Sequence, residues 1–489
     1  PPGPPGRRHQ CPPPDRPVLC RRLTLPAPPP SLGPVRAGGR GLPALLALLA
    51  AGPAWLRGGT YADWMHPWLW LAAAVLAVVL YQNRAPEHRA RLLRDPVAWL
   101  GLLFIGLLAL QWANAGRALF FDTEAGRWTH SQPPRPGWPF AFTAGEARQM
   151  LDWFVPAWVL VVGLRSPALG SAGVRRCWRL LAYQAGALAV FGLAQYATRT
   201  PRMYGVLPME TPFFAAFGYQ NHAGSYFLLV LPLALGLLSH EGAVDGQPRR
   251  RARLFGLGLV ALLALVACNL SLSRVSIVAG WAMLLPLGLL LLAFFWPRLE
   301  AAQRLNIVAT GAATLCLAGL LVFGLGREAI RREFKPEKDQ KTFLQRETDF
   351  RGFQLRAAVR IWQDHPWFGV GGWGYRYLLG HYLPPEEWSK VSTGKANVHN
   401  DPVQFLAEFG AIGAGLLAAV VVALLAAVVR SGVGWPPLVL FPVLGAGLIG
   451  LQGLIDLPFR SPAVLYLWLA CLAGAARVLR PARIAAHAS

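Results

Sequence analysis

Residues 411–429 read Ala-Ile-Gly-Ala-Gly-Leu-Leu-Ala-Ala-Val-Val-Val-Ala-Leu-Leu-Ala-Ala-Val-Val, without a charged or strongly polar side chain. With the preceding residues from 402 onward, they form a run long enough to cross a hydrocarbon layer about 30 Å thick. Inside hydrocarbon every backbone amide needs an internal partner, so such a run is expected to be helical. The sequence therefore predicts a transmembrane helix over residues 402–429.

Similar apolar runs recur along the chain. Of the 489 residues, 54% are hydrophobic and only 15% are charged, which is typical of a polytopic membrane protein. The predicted fold class is all-α, with about twelve transmembrane helices. These predicted spans cover residues 41–56, 65–82, 96–115, 148–164, 177–197, 222–239, 254–272, 275–296, 305–325, 402–429, 436–456 and 461–480. The first span is short and contains prolines, so a tilted or re-entrant segment is the alternative there.

Arginines concentrate in alternate connections between these spans. They follow the second, fourth and sixth spans and close the chain: Arg84, Arg89, Arg91 and Arg94; Arg165, Arg175, Arg176 and Arg179; Arg249, Arg250, Arg251 and Arg253; Arg477, Arg480 and Arg483. Because cytoplasmic loops carry the excess of Lys and Arg, we expect these connections and both termini to be cytoplasmic. The longest connection, between the ninth and tenth spans, then faces the outside or the periplasm.

Four parts of the chain follow from this topology. Residues 1–40 are a Pro- and Arg-rich tail that begins with proline and is predicted to be disordered. Residues 41–325 hold nine helices, residues 326–401 form an external loop domain, and residues 402–489 hold three helices and a short tail. The topology accounts for most of the formal charge of +23, so membrane lipids rather than nucleic acid are the expected partners.

The outer loops lack the residues of a disulfide framework or a metal site. Four of the six cysteines lie in or beside apolar spans, and the other two lie in the tail. The outer connections contain no Asp-x-Asp pair and no His/Cys cluster, so we expect no metal and no other cofactor.

A few polar residues on the external side are candidates for chemistry. Arg274 lies in the short connection between the seventh and eighth spans, where it is either an interfacial anchor or a donor to a phosphate. One predicted helix of the external loop carries Arg351, Arg356 and Arg360. These arginines form either a solvated face or an anion-binding stripe. The glycines at 369, 371, 372 and 374 predict a tight loop, since no strand precedes them and no Gly-Lys-Ser/Thr follows.

His399 immediately precedes the helix that begins near residue 402. Asn400 or Asp401 is the expected N-cap and Pro402 occupies the first turn, so the imidazole has a rigid mount at the membrane surface. A general base needs such a mount, although most loop histidines are surface or hydrogen-bonded residues. Asn221 and His222, at the external end of the sixth span, either cap that helix or line a site.

Taken together, these segments resemble the O-antigen ligase family of integral-membrane enzymes. Residues 217–223 resemble the family's Phe-x-x-x-Asn-x-Ala element, and residues 271–274 its Ser-x-Ser-Arg turn. Arg351 and the later His-Pro-Trp-Phe-Gly-Val-Gly at 365–371 are similar to the Arg and His-Pro-x-x-Gly-x-Gly of its loop. His399-Asn400, followed by Gly410 and Gly413, resembles the ligase signature of His-Asn, nine residues and Gly-x-x-Gly.

This resemblance implies a function. The family transfers a glycan en bloc from undecaprenyl diphosphate to a sugar hydroxyl, such as one on the lipid A core, at the periplasmic face of the bacterial inner membrane. By the resemblance, Arg274 and Arg351 would stabilise the departing diphosphate and His399 would deprotonate the acceptor hydroxyl, in a metal-independent, inverting reaction. The residues expected to bind substrate are Asn221, His222, Arg356 and Asn400.

Two kinds of alternative stay open. Within the family, an O-antigen or exopolysaccharide polymerase uses the same donor and differs in its acceptor. Outside it, a polytopic transporter or flippase also fits about twelve helices, although the predicted spans contain few charged residues and Asp152 and Asp456 lie near span ends. A non-catalytic scaffold of envelope assembly is a third possibility.

Overall fold

The structure is a computed structural model that describes residues 41–209, 213–243, 250–298, 300–334, 343–383, 396–430 and 435–479. The predicted tail at 1–40, Arg249, and Arg480 and Arg483 near the chain end lie outside these residues. The helices are α1 (Gly41–Trp55), α2 (Ala62–Gln82), α3 (Pro86–Leu93), α4 (Pro96–Ala113), α5 (Ala144–Arg165), α6 (Gly170–Ala197), α7 (Gln220–Ala243), α8 (Arg250–Leu270), α9 (Arg274–Phe295), α10 (Ala301–Phe334), α11 (Phe343–Asp364), α12 (Tyr375–Tyr382), α13 (Asp401–Val429), α14 (Pro437–Gln452) and α15 (Pro462–Leu479).

Each predicted span coincides with a helix, and the fold is mostly helical. Among the described residues, nine helices are long and apolar enough to cross a membrane: α2, α4, α6, α7, α8, α9, α10, α13 and α15. Helices α1 and α14 are apolar but shorter, with 15 and 16 residues. The finding supports a polytopic membrane protein, while the count of twelve spans stays a prediction.

Burial shows how the bundle is arranged. Most of α7 and α15 is buried inside the protein, whereas α10 is almost wholly exposed. Helices α7 and α15 are therefore central, and α10 lies at the periphery. Two short antiparallel hairpins depart from the predicted all-α class: β1 (Leu119–Asp122) with β2 (Arg127–His130), and β3 (Arg202–Met203) with β4 (Leu207–Pro208).

The loop between α10 and α13 has a small core of its own. Helix α11 buries Phe353, Ala357, Ala358 and Ile361 against α12 and the segment at 140–142. On the same helix, the apolar side chain of Leu355 is 36% exposed. Phe353, Ala357 and Ile361 recur at intervals of four, and Ala358 lies three residues before Ile361, so these side chains share the helix face that packs on the core.

Helix α13 is interrupted at Gly410, whose φ of 65° is left-handed. Segment 366–371 fits against the break: the amides of Val370 and Gly371 donate to the carbonyls of 407 and 408 at 3.1 and 2.8 Å, and that of Ala411 donates to Pro366 O at 2.7 Å. A Cβ at Gly369 would lie 2.4 Å from backbone carbon 408. The glycine-rich stretch is thus the tight loop that the sequence predicts, and its glycines permit close backbone approach.

Candidate functional site

His399 and Asn400 stand at the start of α13. The Asn400 side chain accepts a hydrogen bond from the Val403 amide at 3.0 Å, so Asn400 is the N-cap, with proline in the following first turn. His399 has a positive φ of 55°, an uncommon conformation for a residue with a side chain. The cap and the turn fix the imidazole at the helix entrance, as the sequence predicts.

The segment between α14 and α15, residues 453–461, brings the candidate residues together. The span predicted over 436–456 ends early, because α14 stops at Gln452 and the chain then turns. Three side chains and one backbone amide donate to four carbonyls of this turn. They are the Asp401 amide to Gly453 at 2.8 Å, Asn400 Nδ2 to Leu454 at 2.8 Å, Arg351 Nη1 to Ile455, and His222 Nε2, as the donor tautomer, to Leu457 at 3.0 Å.

The same turn carries a residue that the sequence reading did not assign to the site. Asp456 is 3% exposed, and its Oδ1 lies 3.7 Å from His399 Nδ1. The signal was an acidic residue at the end of an apolar span, but only the folded turn shows which histidine it faces. At this distance the two atoms are close enough for an ion pair but not for a hydrogen bond.

A buried ionic network fixes the turn to α13. Arg460 Nη2 lies 2.8 Å from Glu408 Oε2, and its Nε lies 3.9 Å from Asp401 Oδ1. Glu408 also accepts from Gln404 Nε2 at 2.9 Å, and the Phe459 amide donates to Asp401 Oδ2 at 2.8 Å. Because all three charged side chains are buried, each depends on the others for compensation.

Arg274 opens helix α9, after Ser273, whose side chain caps the helix by accepting from the Ser276 amide at 3.4 Å. This turn packs tightly on Gly224 near the start of α7, so it lies at the same end of α7 as His222. The Nε of Arg274 forms an ion pair of 3.3 Å with Glu333 of α10. The structure therefore places Arg274 beside the α7 entrance but pairs it with a carboxylate.

Two other predicted substrate-binding residues have contacts outside the 453–461 turn. Asn221 Nδ2 donates to the Tyr219 hydroxyl at 2.8 Å. Arg356 lies on the exposed face of α11, with its guanidinium near Gly352. For both, a role in substrate binding stays a prediction.

An apolar cavity of about 380 Å³ opens beside the site. Asp401, Pro402 and Phe459 line one end of it, and Val97 and Val421 line it further along helices α4 and α13. Its position along α13, from residue 401 to residue 421, corresponds to about 30 Å of helix. The length of the cavity, measured from the candidate site, is thus comparable to the thickness of a hydrocarbon layer.

Titratable groups outside the spans are perturbed mainly by burial. Burial, and then the nearby His381 and Arg117, lower the pKa of His130 to about 4 from its ordinary 6.5. Burial and then Asp364 raise the pKa of Tyr382, whose hydroxyl donates to Asp364 at 2.5 Å. In the part of the chain that the structure describes, no group of three or more His, Cys, Asp or Glu residues is placed to hold a metal ion.

Comparison with known proteins bears on the same region. No curated protein matches the chain. A family model described as O-antigen ligase matches residues 259–418, from α8 into α13. The matched part contains Arg274, Arg351, His399 and Asn400, whereas His222 and the 453–461 turn lie outside it. On this match, the segment 259–418 is similar to the O-antigen ligase family.

Proposed function

We propose that the protein is a glycosyltransferase that moves a glycan en bloc from undecaprenyl diphosphate to an acceptor sugar hydroxyl. The reaction would take place at the periplasmic face of the bacterial inner membrane, as in lipopolysaccharide synthesis. The observation that carries the proposal is the contact of His399 with Asp456, in a turn that also binds Arg351 and His222. The similarity of segment 259–418 to the O-antigen ligase family supports a glycosyltransferase over a transporter or flippase.

In the proposed reaction, His399 accepts the proton of the acceptor hydroxyl as its oxygen attacks the anomeric carbon. The bond between that carbon and the diphosphate oxygen breaks, and the lipid diphosphate departs with the electron pair. Direct displacement inverts the anomeric centre. The carboxylate of Asp456 stabilises the imidazolium that forms, because opposite charges attract strongly where burial limits screening. Metal ions have no role in this scheme.

Departure of the diphosphate places negative charge on the leaving oxygens. Fixed donors at that position lower the barrier, and removing one typically costs about a hundredfold or more in rate. Arg351 holds the 453–461 turn next to His399 and is the first candidate. Arg274 would join it by exchanging Glu333 for phosphate oxygens, since guanidinium groups bind both in a bidentate manner.

The apolar cavity supports a donor with a long hydrocarbon chain. It leads from Asp401 along α13, and apolar side chains line most of it. A polyprenyl chain in this cavity would bring its diphosphate to the level of the 453–461 turn. Because the chain already lies in hydrocarbon in the bilayer, binding would result from van der Waals contacts with the cavity walls rather than from removal of apolar surface from water.

The ligase and polymerase alternatives differ only in the acceptor. The first uses a sugar of the lipid A core, and the second uses the glycan of another lipid-linked chain. We favour the ligase because the His399-Asn400 signature resembles that branch, and the assay below includes both acceptors.

The test is glycan transfer in proteoliposomes that contain an undecaprenyl-diphosphate glycan and either acceptor. His399→Ala and Arg351→Ala should each lose about a hundredfold or more in rate. Arg360→Ala is the matched control, because Arg360 is exposed on the same helix as Arg351. Full activity of both site variants would remove these residues from the chemistry. A wild-type protein that transfers glycan to neither acceptor would refute the proposed function.

A further inference from the structure

The β1/β2 hairpin, between α4 and α5, exposes large apolar side chains. Leu119 and Trp128 are 57% and 58% exposed, and Phe120 and Phe121 are 45% and 48% exposed. A cluster of exposed large apolar side chains marks a contact with a protein or with a membrane. A hairpin of two strands is also only marginally stable in water without further packing. The exposed side chains therefore indicate a contact surface.

The register of the two strands places three of these side chains on one face. Phe121 pairs with Trp128, and the centroids of their rings lie 5.6 Å apart, edge to face. Leu119 lies two residues before Phe121 and so points to the same side. We call Leu119, Phe121 and Trp128 the aromatic face. The turn that joins the strands contains Asp122 and Glu124, so its end of the hairpin is charged.

The base of the hairpin lies at the level where helix α4 ends. This helix is long and apolar enough to cross a membrane, and it ends at Ala113. A few residues later, the amides of Gly116 and Arg117 donate to the carbonyls of Ala141 and Phe142 at 3.2 and 3.0 Å, just before α5 begins. Strands of four residues span about 13 Å. The whole hairpin therefore stays close to the boundary of the hydrocarbon layer.

The exposed apolar surface of α4 continues to this base. On α4, the side chains of Leu103, Leu110 and Trp112 are exposed, as expected of residues that face lipid. Trp138 is also exposed, and it lies beside the end of α4, because Asn114 Nδ2 donates to the carbonyl of residue 139 at 3.1 Å. Tryptophan is enriched where a membrane meets water, since its ring is apolar and carries one polar group. The hairpin thus extends a surface that contacts lipid.

We propose that the β1/β2 hairpin lies flat in the membrane interface at this end of α4, with its aromatic face towards the hydrocarbon. The rings of Phe121 and Trp128 would contact acyl chains, and the charged turn would stay among headgroups and water. Continuity with the exposed surface of α4 favours lipid over a protein as the partner. Removal of the rings from water would supply the stabilisation that a two-stranded hairpin lacks. This contact does not depend on the proposed transfer reaction.

A hairpin in the membrane interface would also hold the external loop domain. His130 of β2 pairs with Leu119, and the centroid of its ring lies 4.8 Å from that of Phe142 and 5.5 Å from that of His381. Phe142 belongs to the small core of the loop between α10 and α13. The hairpin therefore links the membrane surface to that core, and its insertion would fix the height of the core above the bilayer.

The experiment measures the depth of a nitroxide label on the full chain in vesicles of phosphatidylcholine and phosphatidylglycerol. The label is attached to one introduced cysteine, after Cys11, Cys20 and Cys316 are replaced by serine; the other three cysteines are buried. Phe121→Cys and Trp128→Cys report on the aromatic face, and Glu124→Cys in the turn is the control. Collision rates with oxygen, which partitions into hydrocarbon, are compared with those of a water-soluble nickel complex. The ratio of the two rates should be several times higher at 121 and 128 than at 124.

Equal ratios at the three positions would place the aromatic face in water and overturn the proposal. Low collision rates with both reagents at 121 and 128 would also overturn it, because the face would then be covered by protein, such as a second copy of the chain. Leu119→Asp, measured with the label at 128, supplies a second test. A charge on the aromatic face should lower the ratio at 128, and an unchanged ratio would contradict insertion. Circular dichroism reports whether each variant is folded.

Discussion

Replacing Asp456 by asparagine should slow glycan transfer while leaving the fold intact. The substitution keeps the size of the side chain and removes its charge, so the 453–461 turn retains its backbone hydrogen bonds to α13 and α7. The proposed role of Asp456 is to stabilise the imidazolium of His399 as that side chain takes up a proton. The loss should therefore appear in kcat rather than in donor binding.

The distance sets the magnitude. Asp456 Oδ1 and His399 Nδ1 lie 3.7 Å apart, and unit charges at that separation attract by about 4 kcal/mol at an effective dielectric constant of about 20. The His399 side chain is 24% exposed, so solvent weakens this attraction. If solvent halves the attraction, the carboxylate stabilises the imidazolium by about 2 kcal/mol, and its loss lowers the rate roughly thirtyfold.

The assay is the initial rate of glycan transfer in proteoliposomes at saturating donor. Asp122→Asn is the control, because Asp122 lies in the β1/β2 hairpin and accepts from the amides of Glu124 and Ala125 at 3.0 Å. A wild-type rate for Asp456→Asn, with His399→Ala inactive, would show that the base works without the carboxylate and would refute this reasoning. A large rise in KM with unchanged kcat would place Asp456 in substrate binding instead.

Three further predictions concern stability, measured as melting temperature in detergent. Gly369→Ala should destabilise the fold by about 2 kcal/mol or more, because its φ is +64° and a Cβ would meet backbone atoms of 408. Gly380→Ala, with open space around it inside helix α12, should be neutral or slightly stabilising. Arg460→Ala should cost about 3–5 kcal/mol by leaving a buried carboxylate at Glu408 without its cation, and Arg460→Ala/Glu408→Gln should recover part of that loss. His130 stays neutral in the fold because burial holds its pKa at about 4, so the unfolded chain binds the proton first and stability falls from about pH 6.5 towards pH 4. A His130→Gln variant should show a flatter pH dependence, and an unchanged slope would contradict the assignment.

Local sequence was sufficient for the helices. Their apolar runs predicted twelve segments, and each has a helix in the structure, with bounds that mostly differ by a few residues. At 436–456 the prediction ran past the end of α14, because the apolar composition continues beyond Gln452. Composition cannot show that carbonyls of the 453–461 turn accept hydrogen bonds from other helices. Because those hydrogen bonds satisfy the carbonyls, the backbone can leave the helical conformation there.

The candidate site was predicted only in part. His399, Asn400, Arg351 and His222 were identified by type and spacing, and all four contact the 453–461 turn or its Asp456. Asp456 and Arg460 were missed as site residues, since nothing in their local spacing indicates which helix they face.

The sequence by itself determined that this chain is a helical membrane protein, because hydrocarbon requires each apolar run to satisfy its own backbone hydrogen bonds. It also determined the rigid mount of His399, since an N-cap followed by proline is a local feature. Tertiary structure alone decided which carboxylate faces that histidine, where Arg274 finds its partner, and how α13 is interrupted at Gly410. These features depend on contacts between segments far apart in the chain, and such contacts form only when the helices pack.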